Sequence, residues 1–113
     1  MINQKTLMAF KNKYKAVKTE VDGIIFDSKR EAARYMELVL MQRAGEIRNL
    51  ELQPAFPCII DGKKICTYKA DFKYFTAKEC VVEDVKGVKT PVYRLKKKLV
   101  EALYPGVKIQ EIS

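Results

Sequence analysis

Two Asp-Gly dipeptides, Asp22-Gly23 and Asp61-Gly62, each stand between short runs of β-prone residues. Asp-Gly readily supplies the two left-handed residues of a tight turn, so each run is sent back antiparallel beside its neighbour. The first dipeptide joins runs at 14–21 and 24–26. The second joins 55–60 to a long run at 64–75. A run at 47–53 stops at Pro54, another occupies 80–86, and a last one at 107–112 follows Pro105-Gly106. Such spacing predicts a small antiparallel meander with hairpins rather than a helical bundle.

Two helices interrupt the strands. Ser28 reads as an N-cap, with Glu31 three residues later completing a capping-box pattern. Ala32, Ala33, Tyr35, Met36, Val39 and Leu40 then recur at helical spacing until Gly45, which predicts a helix over 28–44. The second helix is expected over 92–103, with Leu95, Leu99 and Leu103, plus Val92 and Ala102, as its buried stripe. Arg94, Lys97 and Lys98 lie off that stripe. The order is hairpin, helix, meander, helix, strand, an α/β (α+β) fold. The 113 residues suffice for one domain, 1–113, with 1–12 as a loose basic arm.

Composition removes several kinds of chemistry. The chain has no histidine, which excludes His-dependent triads and dyads. Its three cysteines, Cys58, Cys66 and Cys80, form no Cys-x-x-Cys pair, so a structural zinc site is not expected. They read as small buried hydrophobes in apolar strands. No apolar run reaches membrane-spanning length, and the first residues lack the apolar core of a signal peptide, so a cytoplasmic protein without a membrane partner is expected.

What remains is carboxylate and lysine. Asp71 follows Tyr68-Lys69-Ala70, and Glu83-Asp84-Val85-Lys86 follows Val81-Val82. Residues two apart on a strand share a face, so Asp84 and Lys86 point the same way while Glu83 points the other. Asp71 from a neighbouring strand joins them. Two carboxylates beside one amine are the minimum set for holding a divalent cation and cutting a phosphodiester. Each also has a plainer reading as an ion pair, and Glu31 is either a helix cap, a site residue or both. The net charge of +8 divides as +4 over 1–30, −1 over 31–85 and +5 over 86–113. Basic flanks around a near-neutral centre suit a polyanion.

A glutamate on the first helix, an aspartate on a strand, then (D/E)-x-K on the next strand and a helix after it resembles the PD-(D/E)xK nuclease superfamily. Here those elements are Glu31, Asp71, Asp84-Val85-Lys86 and the helix 92–103. The stretch from Tyr14 to Ile112 also looks like a group of small phage and prophage proteins placed in that superfamily. Phe26-Asp27-Ser28-Lys29-Arg30-Glu31, Leu52-Gln53-Pro54 and Leu95-Lys96-Lys97-Lys98-Leu99 match as well. Ala70 stands where the motif name has proline.

The resemblance implies a restriction-endonuclease-like core, a mixed central sheet flanked by two helices. It implies a metal-dependent DNA endonuclease acting on branched or single-stranded replication and recombination intermediates, in the host cytoplasm if phage-encoded. Asp71, Asp84, the Val85 carbonyl and Glu31 would hold Mg²⁺ or Mn²⁺. Lys86 would act on the attacking water or the phosphate, with Glu83 and Gln53 behind these ligands. Lys89, Arg94, Lys97 and Lys98 would contact DNA phosphates. Many such nucleases act as homodimers, since two-stranded or four-way substrates need two sites. The alternative is a nucleic-acid-binding module that keeps the fold without the activity.

Overall fold

A computed structural model of the chain describes residues 17–113. The expected arm at 1–12, the start of the first β-prone run and the lysines Lys11, Lys13 and Lys15 lie outside them. The elements run β1 (Thr19–Val21), β2 (Ile24–Phe26), α1 (Lys29–Arg43), β3 (Arg48–Leu52), β4 (Ala55–Ile60), β5 (Lys63–Lys69), β6 (Phe72–Phe75), β7 (Cys80–Val85), α2 (Pro91–Leu103) and β8 (Ile109–Ile112). The chain divides into two compact units, one ending at Leu38 and the other spanning Val39–Ser113.

In the first unit Val21 pairs with Ile24 across Asp22-Gly23, whose φ angles of 53° and 76° are those of a tight hairpin turn. Ser28 caps α1 as expected, its Oγ accepting a hydrogen bond from Glu31 N at 3.1 Å. Tyr35 lays its ring 5.0 Å from that of Phe26 and donates its hydroxyl to Asp22 Oδ2. The helix continues past Leu38 into the second unit and ends at Gly45, φ 81°, where Gly45 N donates to Gln42 O and Glu46 N to Met41 O. This is the paired 5→2 and 6→1 arrangement of a glycine-terminated helix.

The second unit is organised by one kinked ribbon. The 64–75 run, expected as one strand, is broken at Ala70-Asp71 into β5 and β6, and β3 passes into β4 at Gln53-Pro54. The register survives both breaks: Leu52 faces Phe72 on one side of the kink and Ala55 faces Lys69 on the other. Two bonds bridge the kink, Gln53 N to Asp71 O and Ala70 N to Pro54 O. Pro54 has no N–H for a ladder and Gln53 takes φ 50°, so the ribbon bends here rather than continuing flat.

Below the kink, β3, β6, β7 and β8 form a four-stranded sheet in the order β3-β6-β7-β8. It is mixed: β3, β6 and β7 run antiparallel, while β7 and β8 are parallel and joined through α2. The fold is thus α+β, with one mixed four-stranded sheet and, among the described residues, two helices. Above the kink, α2 packs on β4 and β5. The core gathers Phe56, Cys58, Tyr68, Val82, Val100 and Ile109. Of the three cysteines only Cys58 is fully buried; all are free.

Both helices face differently from their apolar pattern. In α2 the buried residues are Tyr93 and Val100, while Val92 and Leu95, expected inside, are 63% and 61% exposed, and Ala102 is exposed too. Leu99 and Leu103 pack partly on the core. In α1, Glu31, Ala32 and Leu38 are buried and Met36 and Leu40 are exposed. In each case the hidden face carries a polar-headed residue that a count of apolar side chains passes over. No helix among the described residues is long and apolar enough to cross a membrane.

Candidate functional site

The kink sets Asp71 against the end of β7. Its main chain is fixed on both sides, N donating to Glu83 O at 3.0 Å and O accepting from Gln53 N at 2.9 Å. Its carboxylate Oδ2 accepts a 2.7 Å hydrogen bond from Val85 N. Asp71 thereby holds the peptide between the two residues that matter next.

Asp84 is 1% exposed, costly for a carboxylate unless its oxygens are satisfied. One oxygen, Oδ2, receives the hydroxyl of Tyr68 from β5. The other, Oδ1, lies 3.4 Å from Lys86 Nζ. Lys86 follows β7 immediately, where its N donates to Ile112 O of β8. Its ammonium sits 4.7 Å from the centre of the Tyr93 ring, a cation–π contact, and its side chain keeps 31% exposure. Asp84 and Lys86 share a face, as alternation along the strand requires.

Glu83 lies on the opposite face, fully buried, where it accepts the hydroxyl of Tyr74. Gln53 reaches Asp71 through its backbone N; its side chain is exposed. Glu31 is buried in the first turn of α1, in the unit ending at Leu38. The structure therefore links Asp71, Asp84, Val85 and Lys86 directly, joins Gln53 through the main chain and places Glu83 behind the sheet.

The expected phosphate-contacting cations divide. Lys89 and Lys97 both pair with Glu111 Oε1, at 3.4 and 3.5 Å. Arg94 and Lys98 are exposed on α2. Three residues that sequence patterns did not assign to the site complete it. Tyr68, itself part of the core, supplies the hydroxyl to Asp84. Tyr93 donates its own hydroxyl to Glu111 Oε2 at 2.9 Å, and Thr90 caps α2 by accepting from Tyr93 N. The signal for Thr90 was the Thr-Pro pair before an apolar run.

Electrostatics follows these contacts. Burial, and then the bond to Asp84, pushes the Tyr68 phenol well above its ordinary range, so it remains a donor. Burial and the bond to Glu111 raise Tyr93 in the same way. The Tyr93 hydroxyl in turn holds the Glu111 carboxyl below the usual range against a partial desolvation cost, with Lys97 and Lys89 adding to the effect.

Asp71, Asp84 and the Val85 carbonyl would offer oxygen donors only, which suits a hard divalent cation in kind. Among the described residues no group of three or more His, Cys, Asp or Glu side chains is placed to hold a metal ion. An ion here would be held by two carboxylates, with main-chain and solvent oxygens filling the rest.

No curated protein and no solved structure matches the chain. One family does, over residues 11–113, nearly the whole length. The chain belongs to that family, whose description reads "Protein of unknown function (DUF1064)".

Proposed function

We propose that this protein is a metal-dependent DNA endonuclease with a restriction-endonuclease-like core. The observation that carries the reading is the Asp84–Lys86 pair at the end of a buried strand, with Asp71 clasped to the intervening Val85 N. A plain surface ion pair would not need one member 1% exposed and held by a buried tyrosine. The mixed sheet and the helix between its parallel strands are consistent with the fold the sequence resembles.

Asp71 and Asp84, with the Val85 carbonyl, would hold Mg²⁺ or Mn²⁺. Such an ion, when bound, polarises a phosphoryl oxygen and acidifies water. The chain's own residues do the rest. Tyr68 and Val85 N fix the two carboxylates, so their positions do not depend on the ion. Lys86, the exposed member of its pair, directs its ammonium toward an incoming phosphodiester. There it donates hydrogen bonds to charge developing on phosphate oxygens, or orients the attacking water. The substrates are branched or single-stranded DNA intermediates of phage replication and recombination in the host cytoplasm, met by a homodimer when two strands are cut.

The test is a panel of plasmid, single-stranded, flap and four-way-junction DNA with Mg²⁺ or Mn²⁺. Wild type is expected to cut at least one member, and Lys86→Ala to lose about 10²-fold or more in rate while still folding, as its cooperative thermal unfolding would show. A wild-type protein that cuts none of them, yet binds DNA with steep salt dependence, is the inactive binding module instead.

A further inference from the structure

A cleft of about 390 Å³ opens beside Lys86, between β5 and the start of α2. Lys69, Lys86 and Lys96 line it, together with Thr67 and Val92, and no carboxylate is among its lining side chains. Lining by three lysines and no carboxylate gives the cleft an excess of positive charge that suits an anion. Lys86 has Asp84 as partner, whereas Lys69 and Lys96 form no ion pair among the described residues. Lys96 is aimed by a 3.4 Å contact from Nζ to Thr67 O. Thr67 Oγ1 is buried and, among the described residues, has no hydrogen-bond partner.

The volume exceeds that of a phosphate several times and falls in the range of small-ligand pockets. Part of the lining is carbon. Tyr68 and Tyr93 are buried, and the Lys86 ammonium covers the Tyr93 ring, so the apolar surface open to a ligand is chiefly Val92, mostly exposed at the rim. Arg94 and Lys98, by contrast, lie about 200° around α2 from Lys96 at 100° per residue, away from this face.

We propose that the cleft is a subsite for one nucleotide of the bound strand, its phosphate held by Lys69 and Lys96 and its sugar and base set against the exposed Val92 side chain at the rim. Its place beside a cutting centre rests on the nuclease reading above; its chemistry does not.

The test is a titration of ¹⁵N-labelled full-length protein in EDTA with thymidine 5′-monophosphate, inorganic phosphate and thymidine, followed by amide shifts. The monophosphate is expected to move Thr67, Lys69, Thr90 and Lys96, and to bind about tenfold tighter than either fragment. Lys69→Gln with Lys96→Gln should weaken it about tenfold. Because Lys96 touches Thr67 O, exposed Lys69→Gln alone serves as the second variant, with an expected loss of about threefold. Shifts confined to Arg94 and Lys98, or unchanged affinity in a folded variant, overturn the subsite. Phosphate binding as tightly as the nucleotide overturns the nucleotide assignment. A protein that binds the monophosphate here but cuts no DNA keeps the subsite and removes the nuclease reading. One that cuts at wild-type rate as the double variant does the reverse.

Discussion

Asp84 is held by two donors of different kinds, a neutral hydroxyl and an ammonium, and they do separate work. Tyr68 makes the burial of the carboxylate tolerable; Lys86 connects it to solvent. Tyr68→Phe removes only the first. It is expected to destabilise the fold by about 1–3 kcal/mol, the cost of a buried acceptor left short of a donor, read from urea denaturation. Glu111 gives a pH signature. Its folded carboxyl titrates below the ordinary glutamate value of 4.5, so its contribution is complete above that value and is lost as pH falls through the depressed one. Thermal unfolding followed from pH 6 downward should therefore show a loss of stability below 4.5, and Glu111→Gln should flatten that segment of the curve. Of these residues, Asp84 and Lys86 were legible because alternation along a strand is a local rule. Tyr68 was not, since no local rule ties residue 68 to residue 84; the kinked ribbon does that.

The elements were legible where their punctuation is local. Both Asp-Gly hairpins, the Ser28 cap and the Gly45 stop follow from backbone preferences of a few residues. The break at Ala70-Asp71 carries no such mark, because the residues on either side are uniformly β-prone and only the pairing with β3 and β7 reveals it. Helix orientation was misread for a related reason. Leu95 and Val92 look like core, yet α2 turns Tyr93 inward to reach Glu111 and leaves them at the surface. Leu95→Gln is accordingly expected to change stability by less than about 0.5 kcal/mol. Val100→Ala, at a fully buried position, should cost about 1–3 kcal/mol. Paired chemical denaturation curves separate the two, and the reverse order would mean that the helix sits in the orientation its apolar pattern suggested.

Across the whole molecule, the excess positive charge is not equally available. Lys89 and Lys97 share Glu111, whereas Lys69 and Lys96 are unopposed in their cleft. For a single-stranded oligonucleotide in EDTA, log affinity should fall linearly with log salt. Lys69→Gln with Lys96→Gln should reduce that slope by about 1.4, and Lys89→Gln with Lys97→Gln by well under half as much. Fluorescence anisotropy across a salt series measures both. The parallel pairing of β8 with β7 bears on timing as well as shape. The Lys86 backbone waits for the Ile112 carbonyl, and Tyr93 waits for Glu111, so β8, translated after the other strands of its sheet, supplies both. Until β8 has been made, Asp71 and Asp84 lack that support. Assembly of the centre is thereby deferred until β8 docks beside β7, a built-in delay for a protein whose proposed target is the nucleic acid around it.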